Sequence, residues 1–337
     1  MVTQKHRLIL LVILLVISFM IVYPSLSSSQ SKVFKWRLQT YEPEAMETYK
    51  DSVRMADAIK DRSGGAMQIT VHPPGILGYP SHEVHRPVAQ GLLEIGESQA
   101  ASIHEQPVYL IFDQPIFENL EQVRIGWNAA RPYLDAAAEK MNCKLLRGYG
   151  KPVGYWFSKI AFTTVKDWKG AKVRAWSPIL AEWLKGMGAS PQIVPFAELY
   201  SALATGVIVS DAKSPLSVLE AKLYEVGKYY CLWPNLPWVS TMFVNLNSFK
   251  ALPPEIQKIV VEEAARSEER SWKFQLESID RAFAGMKERG MTIIKPAPEE
   301  IENGAKIYQS LVEGWLKKVD PQTKEVLERV RNAIARK

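Results

Sequence analysis

The sequence predicts an α/β protein of two lobes, and three observations carry that prediction. The chain has 337 residues, which is long for one hydrophobic core and suits two lobes of ordinary size. After the first thirty or so residues, short apolar or alternating runs interleave with amphipathic helical stretches, the βαβ rhythm of a mainly parallel sheet with helices on its faces. Two Gly/Pro-broken passages, GYGKPVG at 148–154 and KYYCLWPNLPW at 228–238, interrupt that rhythm and read as crossings between lobes. Two crossings make each lobe discontinuous in sequence and supply a hinge.

The elements follow in order. Residues 1–30 read as a secretory signal peptide: Lys5, His6 and Arg7 precede an apolar run from Leu8 to Val22, then Pro24 and SLSSSQS,. The run is short for a transmembrane span; an uncleaved anchor is the competing reading, and a lipoprotein anchor is excluded because no cysteine lies nearby. VFKWRLQT alternates as a strand, and the helix that follows closes at Gly64 and Gly65,. MQITVHPPGILG, EVHRPVAQG and LLEIGESQA continue as strand and loop, helix, and strand. Residues 120–140 read as helix, with Pro132 marking a break or a fresh start,.

CKLLRGYG and VGYWFSK are strands on either side of the first crossing. KVRAW is a short strand running into SPILAEWLKGMG, where Ser177 suits the N-cap and Pro178 the first helical position,. Beyond Pro253 a run without internal proline predicts one long helix over 254–289, about 54 Å at 1.5 Å per residue and long enough to cross both lobes. TIIKP is a short strand, and two closing helices meet around Asp320 and Pro321. Lobe 1 is thus expected over 31–153 plus 242–270, and lobe 2 over 154–241 plus 271–337.

Composition narrows the chemistry. Hydrophobic residues make up 47% and charged residues 23%, a globular balance without disorder. The net charge of +6 comes with no dense Lys/Arg run interleaved with aromatics, which argues against nucleic-acid binding. Cys143 and Cys231 lack any CxxC spacing, so neither a zinc site nor a disulfide framework is indicated,. HEVH at 82–85 falls one residue short of HExxH,. Neither a metal nor a cofactor is expected. One cation stands out: Arg174 ends its strand, the place where open α/β sheets present ligand-binding groups, and its planar fork suits a carboxylate.

DWKGAKVR, the helix end GMGA, PFAELYSALATGV and LYEVGKYY resemble, in order and spacing, the solute-binding subunits of TRAP transporters, the DctP type. The resemblance implies a periplasmic binding-protein fold with a lobe-spanning helix, in which the arginine of the KVR block, here Arg174, binds a ligand carboxylate. It implies a periplasmic receptor that closes its lobes around a small organic acid and delivers it to a membrane permease, without catalysis and without stable membrane insertion once the leader is cleaved. Where relatives read GVVDG, this chain reads GVIVSDAKSP, which puts Ser214 at a ligand-contact position beside Lys213, with Lys159 a further candidate cation. The family's cleft-bordering loop and strand end fall on Tyr79, Ser98 and Gln99.

Aromatic residues flank the arginine block and the second crossing. Trp176, two residues beyond Arg174 and on the same side of the strand end, Trp156 and Trp233 are candidate walls for a ligand with an apolar or aromatic body, together with Tyr155 and Trp238. One guanidinium balances about one carboxylate, so monocarboxylates are expected to bind more tightly than short dicarboxylates. The competing functions are an extracytoplasmic enzyme acting on acids, against which stand the missing GxSxG and HExxH signatures, and a receptor serving an ABC transporter or a sensor.

Overall fold

The computed structural model describes residues 32–114, 116–152, 155–233 and 236–336. The leader, and parts of both crossings, lie outside the described residues. In chain order the elements are β1 (Phe34–Gln39), α1 (Glu47–Arg62), β2 (Met67–His72), α2 (His85–Ala89), β3 (Ile95–Gln99), α3 (Leu120–Lys140), β4 (Cys143–Lys151), β5 (Tyr155–Ser158), β6 (Lys172–Arg174), α4 (Pro178–Gly186), β7 (Ser190–Gln192), α5 (Leu199–Thr205), β8 (Ser210–Lys213), α6 (Pro215–Glu220) and β9 (Tyr229–Cys231). There follow β10 (Trp238–Asn245), α7 (Leu246–Lys250), α8 (Pro254–Glu288), β11 (Thr292–Ile294), α9 (Pro298–Leu316) and α10 (Pro321–Ala335).

The strands form two sheets, ordered β2-β1-β3-β10-β4 and β11-β9-β5-β8-β6-β7. Both are mixed, a correction to the mainly parallel expectation. β10 runs antiparallel to β3 and β4, and β5 runs antiparallel to β8 and β9. The crossings are the reason. β4 leaves the first sheet and β10 re-enters it at the same end, Trp238 pairing with Lys151, so the two must run in opposite senses. β5 and β9 repeat this in the second sheet, Trp156 pairing with Cys231. The strand ends that flank the two crossings therefore lie side by side in each sheet.

The strand expected over CKLLRGYG runs one residue further, to Lys151, so it takes in the first four residues of GYGKPVG. Gly148 and Gly150 belong to β4, and they are glycines because a Cβ on Gly148 would stand 2.0 Å from the Trp127 ring and one on Gly150 would stand 3.0 Å from Trp272. Pro132 does not break α3. Asn119 caps that helix by accepting from the Gln122 N–H, Trp127, Ala130 and Leu134 anchor it in the core, and Pro132 lies on the exposed face, so the hydrogen bond its missing N–H forgoes is on the solvent side of the helix,.

The long helix α8 is continuous over 35 residues. Ser267 and Arg270 in its first half bond Asp51 of α1, while Met286 near its end packs with Phe157 and Tyr230 of the second sheet. The closing helices then part company. Tyr308 of α9 stacks on Trp183 of α4 with ring centroids 4.7 Å apart, whereas Val326, Leu327 and Val330 of α10 share a core with Trp127 and Phe117 of the first lobe. Residues 321–335, expected with lobe 2 on sequence order, pack instead on the core beneath the first sheet; the turn capped by Asp320, which accepts from the Thr323 N–H, leads into that helix.

Cys143 and Cys231 are buried, free and in different sheets. His85 is buried in α2 near Glu105, and burial pushes its pKa down. The described residues contain no cluster of three or more His, Cys, Asp or Glu side chains arranged to hold a metal, and no helix among them is long and apolar enough to cross a membrane.

Candidate functional site

Arg174 ends β6, which runs parallel to β7 and β8; the chain then turns at Ser177, whose hydroxyl accepts from the Leu180 N–H at 3.3 Å and opens α4. That hydroxyl also donates to Asp113 of the first lobe at 3.2 Å. The arginine is 5% exposed. Its Nε–H donates to the Val194 carbonyl at 2.7 Å and one terminal nitrogen to Asp211 Oδ1 at 3.4 Å. A guanidinium has five N–H groups, so the fork is pinned from behind and keeps donors to spare.

It faces a cleft lined by residues from the strand ends of both sheets and the segments that join them. Lys151 at the end of β4 and Lys213 at the end of β8 line the same cleft, with Glu42 on the loop after β1. Lys151 Nζ lies 2.7 Å from Glu42 Oε1 and 4.9 Å from the Trp238 ring centre. Lys213 Nζ lies 3.3 Å from Asp211 Oδ2, an ion pair without hydrogen-bond geometry, and 4.3 Å from the Phe196 ring centre. Counted by ion-pair contact, three cations thus meet two carboxylates, an excess of one positive charge among these five groups, with Glu220 further off but within electrostatic reach of Lys151. Burial pushes the Lys213 pKa down to about 8, partly countered by Asp211 and reinforced by Arg174 and Lys151. Tyr41 completes this wall: its ring meets Trp238 edge-on at 5.2 Å, and burial raises its phenol pKa while the adjacent Arg174 opposes that rise.

The apolar surface comes from Trp176, Phe196, Leu236 and Trp238. Of the residues singled out in sequence, Arg174, Trp176, Lys213, Ser214 and Trp238 meet here. Ser214 caps α6, its hydroxyl accepting from the Ser217 N–H at 3.3 Å. Trp156 and Trp233 do not reach the cleft: both are fully buried in the second lobe, where Trp168 meets Trp156 at 4.9 Å and Trp233 at 5.8 Å. Alternation decides this, because Trp156 on β5 points to the face covered by α4 and α9. Tyr79 is likewise outside the lining; its carbonyl accepts from Gln39 and its hydroxyl lies 3.5 Å from the Leu92 carbonyl. Lys159 donates to the Leu203 carbonyl at 2.8 Å and is absent from the cleft lining.

Tyr41, Glu42, Lys151 and Phe196 went unrecognised. Their only sequence signal is position, each lying at or just past a strand end or beside a crossing.

A two-lobed α/β molecule whose strand ends and crossings converge on one positively charged cleft has the architecture of a solute receptor. Residues 38–318 match the model of the bacterial extracellular solute-binding proteins, family 7, and the chain belongs to that family, the DctP or TRAP-type binding proteins. It is 28% identical over 254 residues to the 2,3-diketo-L-gulonate-binding periplasmic protein YiaO of Escherichia coli, covering 71% of this chain and 74% of that one. Among solved structures it resembles DctP7 of Bordetella pertussis, an extracytoplasmic solute receptor binding pyroglutamic acid, with 26% identity, a TM-score of 0.83 and coverage of 89% and 100% of the two chains. DctP6 of the same organism, also a pyroglutamic acid receptor, matches at 28% identity, a TM-score of 0.82 and coverage of 90% and 100%. Proteins of this family are periplasmic substrate-binding proteins.

Proposed function

We propose that this TRAP-type binding protein captures a small organic monocarboxylate, with Arg174 pairing with the carboxylate and Trp176, Trp238, Phe196 and Leu236 enclosing the body. The lobes close over the ligand and the closed form presents it to a membrane permease, after export directed by the N-terminal leader and without chemical turnover. The observation that carries the reading is the state of Arg174: almost fully buried, held by Val194 and Asp211, and aimed into a cleft with one surplus positive charge.

A single surplus charge matches a single carboxylate, and a second buried carboxylate would lack a counter-ion and pay for its desolvation. Lys213 offers no free counter-ion for a second carboxylate, because it and Arg174 share Asp211. The ligands of the two Bordetella receptors fit this class, each being described as pyroglutamic acid. Closure needs contacts better in the closed state, and the cleft supplies them from both lobes, Tyr41, Glu42 and Trp238 on one side and Arg174, Trp176 and Lys213 on the other.

Calorimetry on the wild type and Arg174→Ala is the test. Replacing a buried charge-assisted bidentate contact is expected to weaken monocarboxylate binding at least about a hundredfold. Succinate and malate are expected to bind more weakly than monocarboxylates of similar size. Undiminished affinity in the variant, or a preference for the dicarboxylates, would refute the proposal.

A further inference from the structure

Two polar atoms at the cleft are left over when every ion pair has been assigned. Glu42 is 2% exposed; its Oε1 takes the Lys151 ammonium at 2.7 Å, and its Oε2, buried, has no hydrogen-bond partner among the described residues. The Trp176 indole N–H is likewise buried and unpartnered among them. Both residues line the cleft that Arg174 faces. A buried carboxylate oxygen without a donor, or a buried indole N–H without an acceptor, is a cost that folded proteins rarely carry unless something else satisfies it.

We propose that Glu42 and Trp176 set the ligand class: a monocarboxylate whose body also carries a neutral N–H or O–H, donated to Glu42 Oε2, and an acceptor oxygen that receives the Trp176 indole N–H. This deepens the Arg174 reading and rests on it. The donor is neutral because the cleft has only one positive charge to offset. An ammonium donor would make the ligand a zwitterion of no net charge and leave that charge unanswered, whereas a hydroxyl or amide N–H leaves the ligand a monoanion. Lactam acids, 2-hydroxy acids and sugar acids satisfy the pattern; simple 2-oxo and arylacetic acids, which have no donor, do not. Glu42 can accept from the ligand without giving up Lys151, since its two oxygens serve the two partners separately.

The test uses matched pairs that differ only in the donor: 5-oxopyrrolidine-2-carboxylate against the lactone 5-oxotetrahydrofuran-2-carboxylate, and mandelate against phenylacetate. Calorimetry on the wild-type protein is expected to favour the donor-bearing member of each pair that binds by about tenfold or more, because a site built to hydrogen-bond a donor rejects the analogue without it. The Glu42→Met, Lys151→Met double variant removes the ion pair as a unit and keeps the cleft's net charge. In it the ratio between the members of a pair is expected to collapse toward one, whatever happens to the individual affinities. Equal affinity within a pair for the wild type, or a ratio that survives in the folded double variant, overturns the Glu42 assignment while leaving Arg174 untouched. Binding of no carboxylate at all overturns the Arg174 reading and this one with it. Should the double variant fail to fold, the wild-type ratio alone decides.

Discussion

Two arginines sit at comparable depth in this protein and do different work. Arg147 on β4 is fully buried. It donates to Asp51 at 3.3 Å, to Ser52 at 2.8 Å, to Glu97 at 3.4 Å and to Ser267 of α8. Glu97 also accepts from Ser240 at 2.6 Å and from the Tyr41 N–H at 3.2 Å. Burial alone would raise the Asp51 pKa, but hydrogen bonds from Arg270 and Ser267 and the adjacent Arg147 charge outweigh it and hold it down. Both terminal nitrogens of that arginine are spent on protein partners from three other elements. Arg174 has one backbone carbonyl, one long contact to Asp211 and the neighbouring Tyr41 hydroxyl, which leaves N–H groups of its fork over at the cleft it lines,. Burial and charge therefore do not mark a binding arginine. What marks it is donor capacity that the protein leaves unfilled beside a cavity.

The largest effect that would break the comparison is on stability. Arg147→Ala strands Glu97 and loosens the tie between α1, β4 and α8, and the expected loss is about 3–5 kcal/mol in a urea titration, the range for breaking a buried ion pair on one side. Arg174→Ala is expected to cost far less, because its loss leaves Asp211 still beside Lys213. If the two variants unfold at the same urea concentration, the distinction between a structural and a binding arginine fails.

Titration sharpens it further. Lys213 has a folded-state pKa of about 8 against an ordinary value of 10.5. Between those values the unfolded chain holds a proton that the folded one has released, so stability rises with pH across that window. Anion affinity moves the other way, since the same deprotonation removes the cleft's surplus charge. The ligand-free melting temperature of the wild type relative to Lys213→Met is expected to climb from pH 8 toward pH 10 while the wild-type dissociation constant for a monocarboxylate increases. Parallel movement of the two would show that Lys213 does not act on the cleft's charge.

The smallest expected effect falls on Ser214. Its hydroxyl is engaged with Ser217, donating to Oγ at 2.9 Å and accepting from the N–H, so Ser214→Ala is expected to cost about 1 kcal/mol of stability as a lost helix cap and to change affinity little. A loss of affinity beyond about tenfold without a change in melting temperature would instead place that hydroxyl on the ligand.

What the sequence determined by itself is what local chemistry encodes. The strand-to-helix turn after Arg174 was legible because Ser177 and Pro178 are cap and first-turn residues wherever they occur in that order. The long helix was legible from its missing prolines, and the two crossings were legible from their glycines and prolines. Arg174 itself was legible mainly through the resemblance of its neighbouring blocks, since Arg147 in LLRGYG has a strand context no less apolar. The tertiary structure alone decided which tryptophans reach the cleft. Trp156 and Trp176 each lie near a strand end, but the face covered by α4 and α9 claims the first for the core, and a side chain's face depends on what its sheet packs against. It alone placed α10 on the first lobe, because an amphipathic helix fits any apolar groove and only the path of the chain selects one. It alone assembled Tyr41, Glu42, Lys151 and Lys213 around Arg174, residues from both lobes whose ion pairs form across separations in sequence that carry no local signal.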